Sequence, residues 1–157
     1  EAEEIENPVM MEGCEFIPDS GGPGKYRGGL SLRRDIRFLT DVTWARYSDR
    51  QKFKPLGLFG GMEGSMGSLI LNPDTPKQKR CRSKGVDQIK AGDLLSIRLP
   101  GSGGYGSPVD RDPGAVRWDV INGKISMTSA QKDYRVVFDE EMRVDTAATE
   151  TLRKETP

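Results

Sequence analysis

Hydrophobic and polar residues largely alternate along segment 29–39, where four apolar residues share one parity and Ser31, Arg33, Asp35 and Arg37 share the other. The apolar set comprises Leu30, Leu32, Ile36 and Phe38. This period of two predicts a β-strand with one face on a core and one face in water. The β-branched and aromatic segment 42–47 predicts a second strand, which we expect to pair with the first across a turn near Asp41. Short apolar runs predict further strands over 68–71 and 93–99.

The pattern becomes helical after about residue 110. Asp112, followed by a proline, is typical of an N-cap with proline at the first helical position. Gly123 predicts the C-terminal stop of that helix. The spacing from Thr128 to Gln131 predicts a capping box that opens a second short helix ending near Tyr134.

Segment 136–138 predicts one more short strand, and Asp145 is predicted to cap a last helix over 146–154. The expected fold class is therefore mainly β with α. Residues 1–110 are expected to form a sandwich- or barrel-like sheet with glycine-rich loops. Residues 111–157 are expected to form a helical tail that packs on it.

The 157 residues include no histidine and two cysteines, which changes what chemistry is possible. This chain alone offers no Ser-His-Asp triad, Cys-His pair, histidine metal site or Cys₄ zinc site. Cys14 and Cys81 are far apart in sequence and are interpreted as free thiols in a reducing compartment, so a cytoplasmic location is expected. The 24 basic and 24 acidic residues cancel, unlike the basic excess of a duplex-binding domain. No apolar run of about 18 residues is present, so no membrane-spanning helix is expected.

Fourteen of the 19 glycines fall into three clusters, here called glycine loop 1 (residues 20–29), glycine loop 2 (57–67) and glycine loop 3 (101–106). Loop 1 lacks the Gly-Lys-Ser/Thr order of a Walker A motif, but Lys25 and Arg27 are candidate donors to an anion. The alternative, which the spacing favours, is a turn that passes close to another backbone. Loop 3 matches G-x-G-x-x-G, yet no helix opens directly after it, so a dinucleotide site is not favoured.

Two other charged features have a functional and a structural interpretation. The run 77–84 holds five basic residues and no acid, which suits RNA or an acidic partner, but a solvated loop is favoured. The pairs Asp110/Asp112 and Asp139/Glu141 offer carboxylates for a metal or for acid–base chemistry. An N-cap role for Asp112 and a charged turn at 139–141 are the favoured interpretations.

Taken together, three motifs resemble signatures of the hydantoinase B family. They are Pro18-Asp-Ser-Gly-Gly-Pro-Gly-Lys-Tyr-Arg-Gly-Gly-Leu30, Gly57-Leu-Phe-Gly-Gly-Met-Glu-Gly64 and Leu99-Pro-Gly-Ser-Gly-Gly-Tyr-Gly-Ser-Pro-Val-Asp-Arg-Asp-Pro113. The stretch 119–138 is similar to the family's helical tail. The motifs occur in the family's order, and the match covers nearly the whole chain.

The resemblance implies the C-terminal part of a B-type subunit, a group that includes N-methylhydantoinase, 5-oxoprolinase and acetone or acetophenone carboxylase relatives. In this family a kinase-like A component phosphorylates the substrate with ATP and Mg²⁺. The B component then processes the activated intermediate by hydrolysis or by carbon–carbon bond formation. The implied assembly is a hetero-oligomer of this chain with a B-type large subunit and A-type subunits, without nucleic acid or membrane.

The resemblance also implies where the cofactors belong. The family's metal-binding Asp and His residues lie in its larger N-terminal part, so ATP, Mg²⁺ and a transition metal, Zn or Mn, are expected on partner subunits. No catalytic residue, cofactor or metal ligand is assigned to this chain. We expect it not to be an enzyme alone, but to be one as part of a carboxylase (ligase) or amidohydrolase complex.

Candidate contacts with substrate or with a neighbouring subunit are Tyr26, Arg27 and Tyr105. The glycines expected to have a structural role in the loops are Gly21, Gly22, Gly24, Gly28, Gly29, Gly60, Gly61, Gly101, Gly103, Gly104 and Gly106. We expect these loops to dock closely against a neighbouring chain.

The favoured function is a small subunit of an ATP-dependent ketone carboxylase. The alternatives are a subunit or fragment of a hydantoinase or 5-oxoprolinase-type cyclic amide hydrolase, and an independent nucleotide- or anion-binding module. The absent initiator methionine indicates a processed or partial chain. The sequence also departs from the family at Ser102 and Ser107, which replace Gly and Asp, and at Arg135, which replaces Gly and is expected to remove a positive-φ position.

Overall fold

The computed structural model of the protein describes residues 2–154. Within these residues the strands are β1 (Val9–Ile17), β2 (Ser31–Phe38), β3 (Val42–Tyr47), β4 (Ser68–Leu71), β5 (Lys79–Cys81), β6 (Lys84–Ile89) and β7 (Leu94–Arg98). The helices are α1 (Ala2–Glu6), α2 (Pro113–Ile121), α3 (Met127–Lys132) and α4 (Thr146–Lys154), and a 3₁₀ turn covers Pro108–Asp110. Residue 1 and residues 155–157, at the outer ends of the predicted regions 1–110 and 111–157, lie outside the described residues.

The strands form two antiparallel sheets. Five of them make one sheet in the order β1-β2-β7-β4-β5, and β3 and β6 make a separate two-stranded sheet. The predicted strands at 29–39, 42–47, 68–71 and 93–99 are present as β2, β3, β4 and β7. The mainly β fold class with C-terminal helices is confirmed.

The predicted pairing of β3 with β2 is wrong. Both edges of β2 are already occupied, by β1 through the Val9–Phe38 register and by β7 through the Ile36–Leu95 register. The chain after β2 therefore leaves this sheet, and Val42 of β3 pairs with Ile89 of β6 instead.

The prediction of one wet face for β2 is also wrong. Ser31 and Asp35, on the polar side of the alternation, are both buried. Ser31 lies against glycine loop 1, where its backbone N–H donates to the Ser20 hydroxyl at 2.7 Å. Asp35 is compensated by an ion pair with Arg33 at 2.6 Å.

The protein has two small hydrophobic cores, one between the two sheets and one among the helices. Phe38, Ile89 and Leu95 join the two sheets, with Trp44 packed against them. Val116, Ile125, Ala130, Tyr134 and Val136 form the second core, among the helices. The helical part is connected to the sheet part at Asp19, whose N–H donates to the Lys124 carbonyl at 3.1 Å and whose carboxylate accepts from the Ser126 N–H at 2.8 Å.

The helix ends follow their capping residues. Asp112 caps α2 by accepting from the N–H of Ala115 at 2.9 Å, and Gly123 (φ 64°) follows its end, as predicted. The predicted capping box at Thr128 is wrong, because Ser126 is the N-cap of α3 and accepts from Ser129. Asp145 lies before α4 and accepts from the N–H of Ala148 at 2.9 Å, as predicted.

Three other predictions are corrected. Segment 136–138 forms no strand. Its β pairing is limited to one isolated bridge, between Phe138 and Val144. The basic run 77–84 is not a loop throughout: it forms β5 and starts β6. Arg135 keeps a φ of 55°, so the positive-φ position is retained and carries an arginine.

Candidate functional site

The three glycine loops, distant in sequence, lie against one another and form one unit, here called the glycine bundle. Loop 2 joins loop 1 through the N–H of Met62, which donates to the Pro23 carbonyl at 2.7 Å. Two backbone hydrogen bonds of 2.9 Å join loop 3 to loop 2: the N–H of Gly104 donates to the Met62 carbonyl, and the N–H of Leu58 donates to the Gly104 carbonyl. Loop 3 also joins loop 1, because Tyr26 and Tyr105 exchange both backbone hydrogen bonds at 3.0 Å.

The backbones in the bundle are so close that side chains do not fit between them. A Cβ on Gly28 would lie 2.0 Å from the Ser102 carbonyl oxygen, and one on Gly104 would lie 2.1 Å from that of Pro23. The glycines whose Cβ would come within 3.0 Å of another backbone are Gly21, Gly22, Gly24, Gly28, Gly57, Gly61, Gly64, Gly101, Gly103 and Gly104. Glycine is thus required here by close approach.

The other three predicted loop glycines are placed differently. Gly60 and Gly106 have φ values of 88° and 72°, a conformation that other residues rarely adopt. A Cβ on Gly29 would make only an ordinary contact, 3.5 Å from the Ser102 hydroxyl.

Loop 3 does not present its amides to a phosphate, although it matches G-x-G-x-x-G. The N–H of Gly104 donates to Met62, that of Tyr105 to Tyr26 and that of Gly106 to Leu58. A phosphate-binding loop needs such N–H groups free to face the anion. The hydrogen bonding therefore argues against an independent nucleotide-binding module built on this motif.

Arg27 points inward, to an ion-pair cluster at the junction between loops and helices. Its Nε donates to the carboxylate of Asp119 in α2 at 3.0 Å, and Arg111 donates to the same oxygen at 2.8 Å. The Asp119 side chain is 4% exposed, and Lys124 lies 3.8 Å from its other oxygen. Since a buried carboxylate is costly unless it is paired and hydrogen-bonded, these contacts fix Asp119 and both arginines in place.

Tyr134 lies beneath this cluster, in the helical core. Its ring is fully buried, and its hydroxyl has no hydrogen-bond partner among the described residues. Burial raises the pKa of Tyr134 to about 12. The group therefore stays neutral at physiological pH and belongs to the core.

Tyr26 and Tyr105 are exposed, at 63% and 48%, and lie side by side on the outer surface of the bundle. Their ring centroids are 6.2 Å apart. Phe59 of loop 2, which the sequence interpretation did not single out, adds a third ring 5.1 Å from Tyr105. The signal available in the sequence was an aromatic directly before a glycine pair in a glycine-rich loop.

The remaining sequence candidates are accounted for locally. Asp112 is an N-cap, as predicted, and Asp139 and Glu141 pair with Arg143, each at 2.8 Å. The five basic residues of the run are exposed, and Cys81 between them is buried, which raises the pKa of its thiol. Both cysteines are free.

Two general findings concern residues 2–154 only. They bring together no group of three or more Cys, Asp and Glu side chains that would hold a metal ion. No helix among them has both the length and the apolar character needed to cross a membrane.

Comparison with known proteins identifies the class. The hydantoinase B/oxoprolinase family model matches residues 1–108. The chain belongs to the hydantoinase B/oxoprolinase family, which confirms the resemblance carried by the glycine motifs.

Individual relatives extend this match over nearly the whole chain. It is 39% identical over 153 residues to an uncharacterized protein of Methanocaldococcus jannaschii, covering 96% of this chain and 27% of that protein. It is 31% identical over 156 residues to the B-type subunit of a putative D-/L-hydantoinase of Pseudomonas sp. (strain NS671), covering 97% and 26%. It is 29% identical to the beta chain of the caprolactamase of Pseudomonas jessenii, covering 96% and 27%. The chain thus spans about a quarter of the length of these relatives.

Two solved structures share the fold. Nucleotide-free acetone carboxylase superposes with a TM-score of 0.77 at 22% identity, over 97% of this chain and 25% of that chain. The ATP-dependent caprolactamase from Pseudomonas jessenii superposes with a TM-score of 0.78 at 24% identity, over 96% and 27%.

Proposed function

We propose that the chain is the C-terminal part of the B-type half of an ATP-dependent multi-subunit enzyme. In this proposal a kinase-like A-type subunit makes a phosphorylated intermediate, and the B-type half, which this part completes, processes it. The observation that carries the proposal is that 96–97% of the chain aligns with only about a quarter of each B-type relative and keeps the fold. A unit of this kind contributes to a larger assembly.

The chain's own role in that assembly is to shape and position. The glycine bundle presents Tyr26 and Tyr105 on its outer surface, and they are the proposed contacts with a neighbouring subunit. Arg27 acts through Asp119, holding loop 1 against the helices, and is therefore a positioning residue. In this proposal ATP, Mg²⁺ and the transition metal bind to partner subunits.

The proposal has two forms, which differ in the reaction. The first is an acetone- or acetophenone-carboxylase-like ligase, supported by the fold shared with acetone carboxylase. The second is a cyclic amide hydrolase. It is supported by sequence relatives that include a hydantoinase subunit, a caprolactamase subunit and 5-oxoprolinases, at 29–35% identity.

Isolation of the native assembly tests the proposal. The polypeptide that carries this sequence is tagged in its own cells, purified without denaturant and analysed by mass spectrometry. We expect the rest of a B-type subunit and an A-type subunit in the same complex. Recovery of the polypeptide without either would contradict the proposal.

ATP consumption by that assembly then separates the two forms. Dependence of ATP hydrolysis on a ketone plus bicarbonate supports the carboxylase form. Dependence on a hydantoin, a lactam or 5-oxoproline supports the hydrolase form. ATP hydrolysis by the same assembly without organic substrate is the control.

A further inference from the structure

Phe59 occupies a backbone conformation that its side chain disfavours. Its φ is 51°, that of Gly60 is 88°, and the N–H of Gly61 donates to the Leu58 carbonyl at 2.9 Å. Positive φ at both central residues of a hydrogen-bonded turn is the signature of a type I′ turn. That turn prefers Asn-Gly at its centre, and a bulky aromatic at positive φ is an outlier.

The neighbouring chain segment holds this turn in place. Leu58 donates its N–H to the Gly104 carbonyl, and its own carbonyl accepts from Gly106 as well as from Gly61, all at 2.9 Å. The turn is thus pinned to loop 3 by backbone bonds that do not involve the Phe59 side chain. Nothing in the turn geometry calls for phenylalanine.

The ring of Phe59 gains little burial in return. It is 78% exposed and contacts Tyr105, which in turn lies beside Tyr26. We call Tyr26, Phe59 and Tyr105 the aromatic anchor. Strained residues are maintained where they serve function, and rigid exposed aromatic rings are typical of the energetic centres of protein interfaces.

We propose that the aromatic anchor inserts into an apolar pocket on the remaining part of the B-type subunit. The proposal rests on the proposed function above. The binding partner of the anchor is inferred from the length of the relatives, because about three quarters of each relative's chain lies outside the segment that matches this one. The apolar character of the pocket is inferred from the residues near Phe59 in sequence, because Leu56, just before loop 2, and Leu58 and Met62 within it are exposed as well.

The rigid bundle makes this surface suited to tight docking. Its loops are fixed by backbone hydrogen bonds before any partner arrives, so little conformational freedom remains to be lost on association. The type I′ turn projects the Phe59 ring outward from this platform.

Oxidative footprinting of the native assembly tests the inference, with the denatured assembly as the reference for each side chain. We expect Tyr26, Phe59 and Tyr105 to be oxidised at least fivefold more slowly in the assembly, despite their exposure in this structure. Oxidation of Phe59 at the rate of the denatured reference would overturn the inference.

The variant Phe59→Asn tests the role of the ring separately from that of the turn, because asparagine accepts a positive φ but cannot fill an apolar pocket. We expect the variant to fold and to assemble, and oxidation of Tyr26 and Tyr105 in the assembly to rise at least threefold. Phe53→Asn, at a ring of nearly equal exposure, is the matched control and is expected to leave both tyrosines protected. Equal protection in the two variants would overturn the inference.

The same preparations separate this inference from the proposed function. If mass spectrometry finds no remaining B-type part with this sequence, the proposed function fails and the inference fails with it. If that part is present and Phe59 is freely oxidised, only the inference fails.

Discussion

Replacing Gly28 by alanine would disrupt the contact between glycine loops 1 and 3. The added Cβ would lie 2.0 Å from the Ser102 carbonyl oxygen and 2.9 Å from that of Gly103. An ordinary contact begins at 3.4 Å, so the Ser102 carbonyl would have to move by about 1.4 Å. Such a shift breaks the hydrogen bond that Ser102 accepts from Gly22 at 2.8 Å.

The expected cost follows from these losses. Overpacking of this kind costs about 1–3 kcal/mol, and each buried hydrogen bond lost adds about 1 kcal/mol. With the one hydrogen bond from Gly22 lost, we expect Gly28→Ala to lower the free energy of unfolding by about 2–4 kcal/mol. Gly28 has no positive φ, so this cost is due to contact alone.

Gly29→Ala is the matched control, one residue away. Its Cβ would be 3.5 Å from the Ser102 hydroxyl, and we expect a change within about 1 kcal/mol, in the stabilising direction if the unfolded chain loses entropy. Urea unfolding followed by tryptophan fluorescence, on the protein as it is isolated, measures both variants. Equal midpoints for the two would refute the close-approach explanation of the glycine bundle.

Three further predictions concern the helical part. Asp119→Asn is expected to cost about 2–4 kcal/mol, because it leaves the half-buried Arg27 and Arg111 without a carboxylate. Glu141→Gln, at an exposed pair, should cost under about 1 kcal/mol, and similar urea midpoints for the two variants would contradict this. Arg135→Gly should raise the free energy of unfolding by about 0.5–1 kcal/mol, by relieving a positive φ, while Arg135→Ala should not; thermal melts compare them. Because the folded-state pKa of Tyr134 is raised to about 12, its neutral form favours the folded state, and stability should fall as pH rises from 10 to 12. Tyr134→Phe should lose that part of the alkaline dependence, and an unchanged profile would argue against a neutral buried hydroxyl.

The strands and helices were predictable where one local rule decided them. Alternation located β2, and Asp112 and Gly123 marked the ends of α2. The prediction failed where several residues competed for the same local role, as with Ser126 and Thr128 at the start of α3, a choice that depends on the path of the incoming chain. The partner of β3 was likewise beyond local rules, because it depends on which strand edges remain free.

The candidate site was predictable in its parts only. Tyr26, Arg27 and Tyr105 were identified from the family motifs, but no local pattern indicates that Arg27 turns inward to Asp119, 92 residues away. Phe59 was missed, since its significance depends on the φ of the turn and on the ring of Tyr105 beside it.

By itself the sequence determined the family, the class of fold and the three glycine-rich segments. Composition and spacing carry that information because each motif is a contiguous run of residue types. Only the tertiary structure decided that the three segments form one bundle. Close approach involves backbones that are distant in sequence. A glycine indicates that another group lies close to it, but the sequence does not show which segment that is.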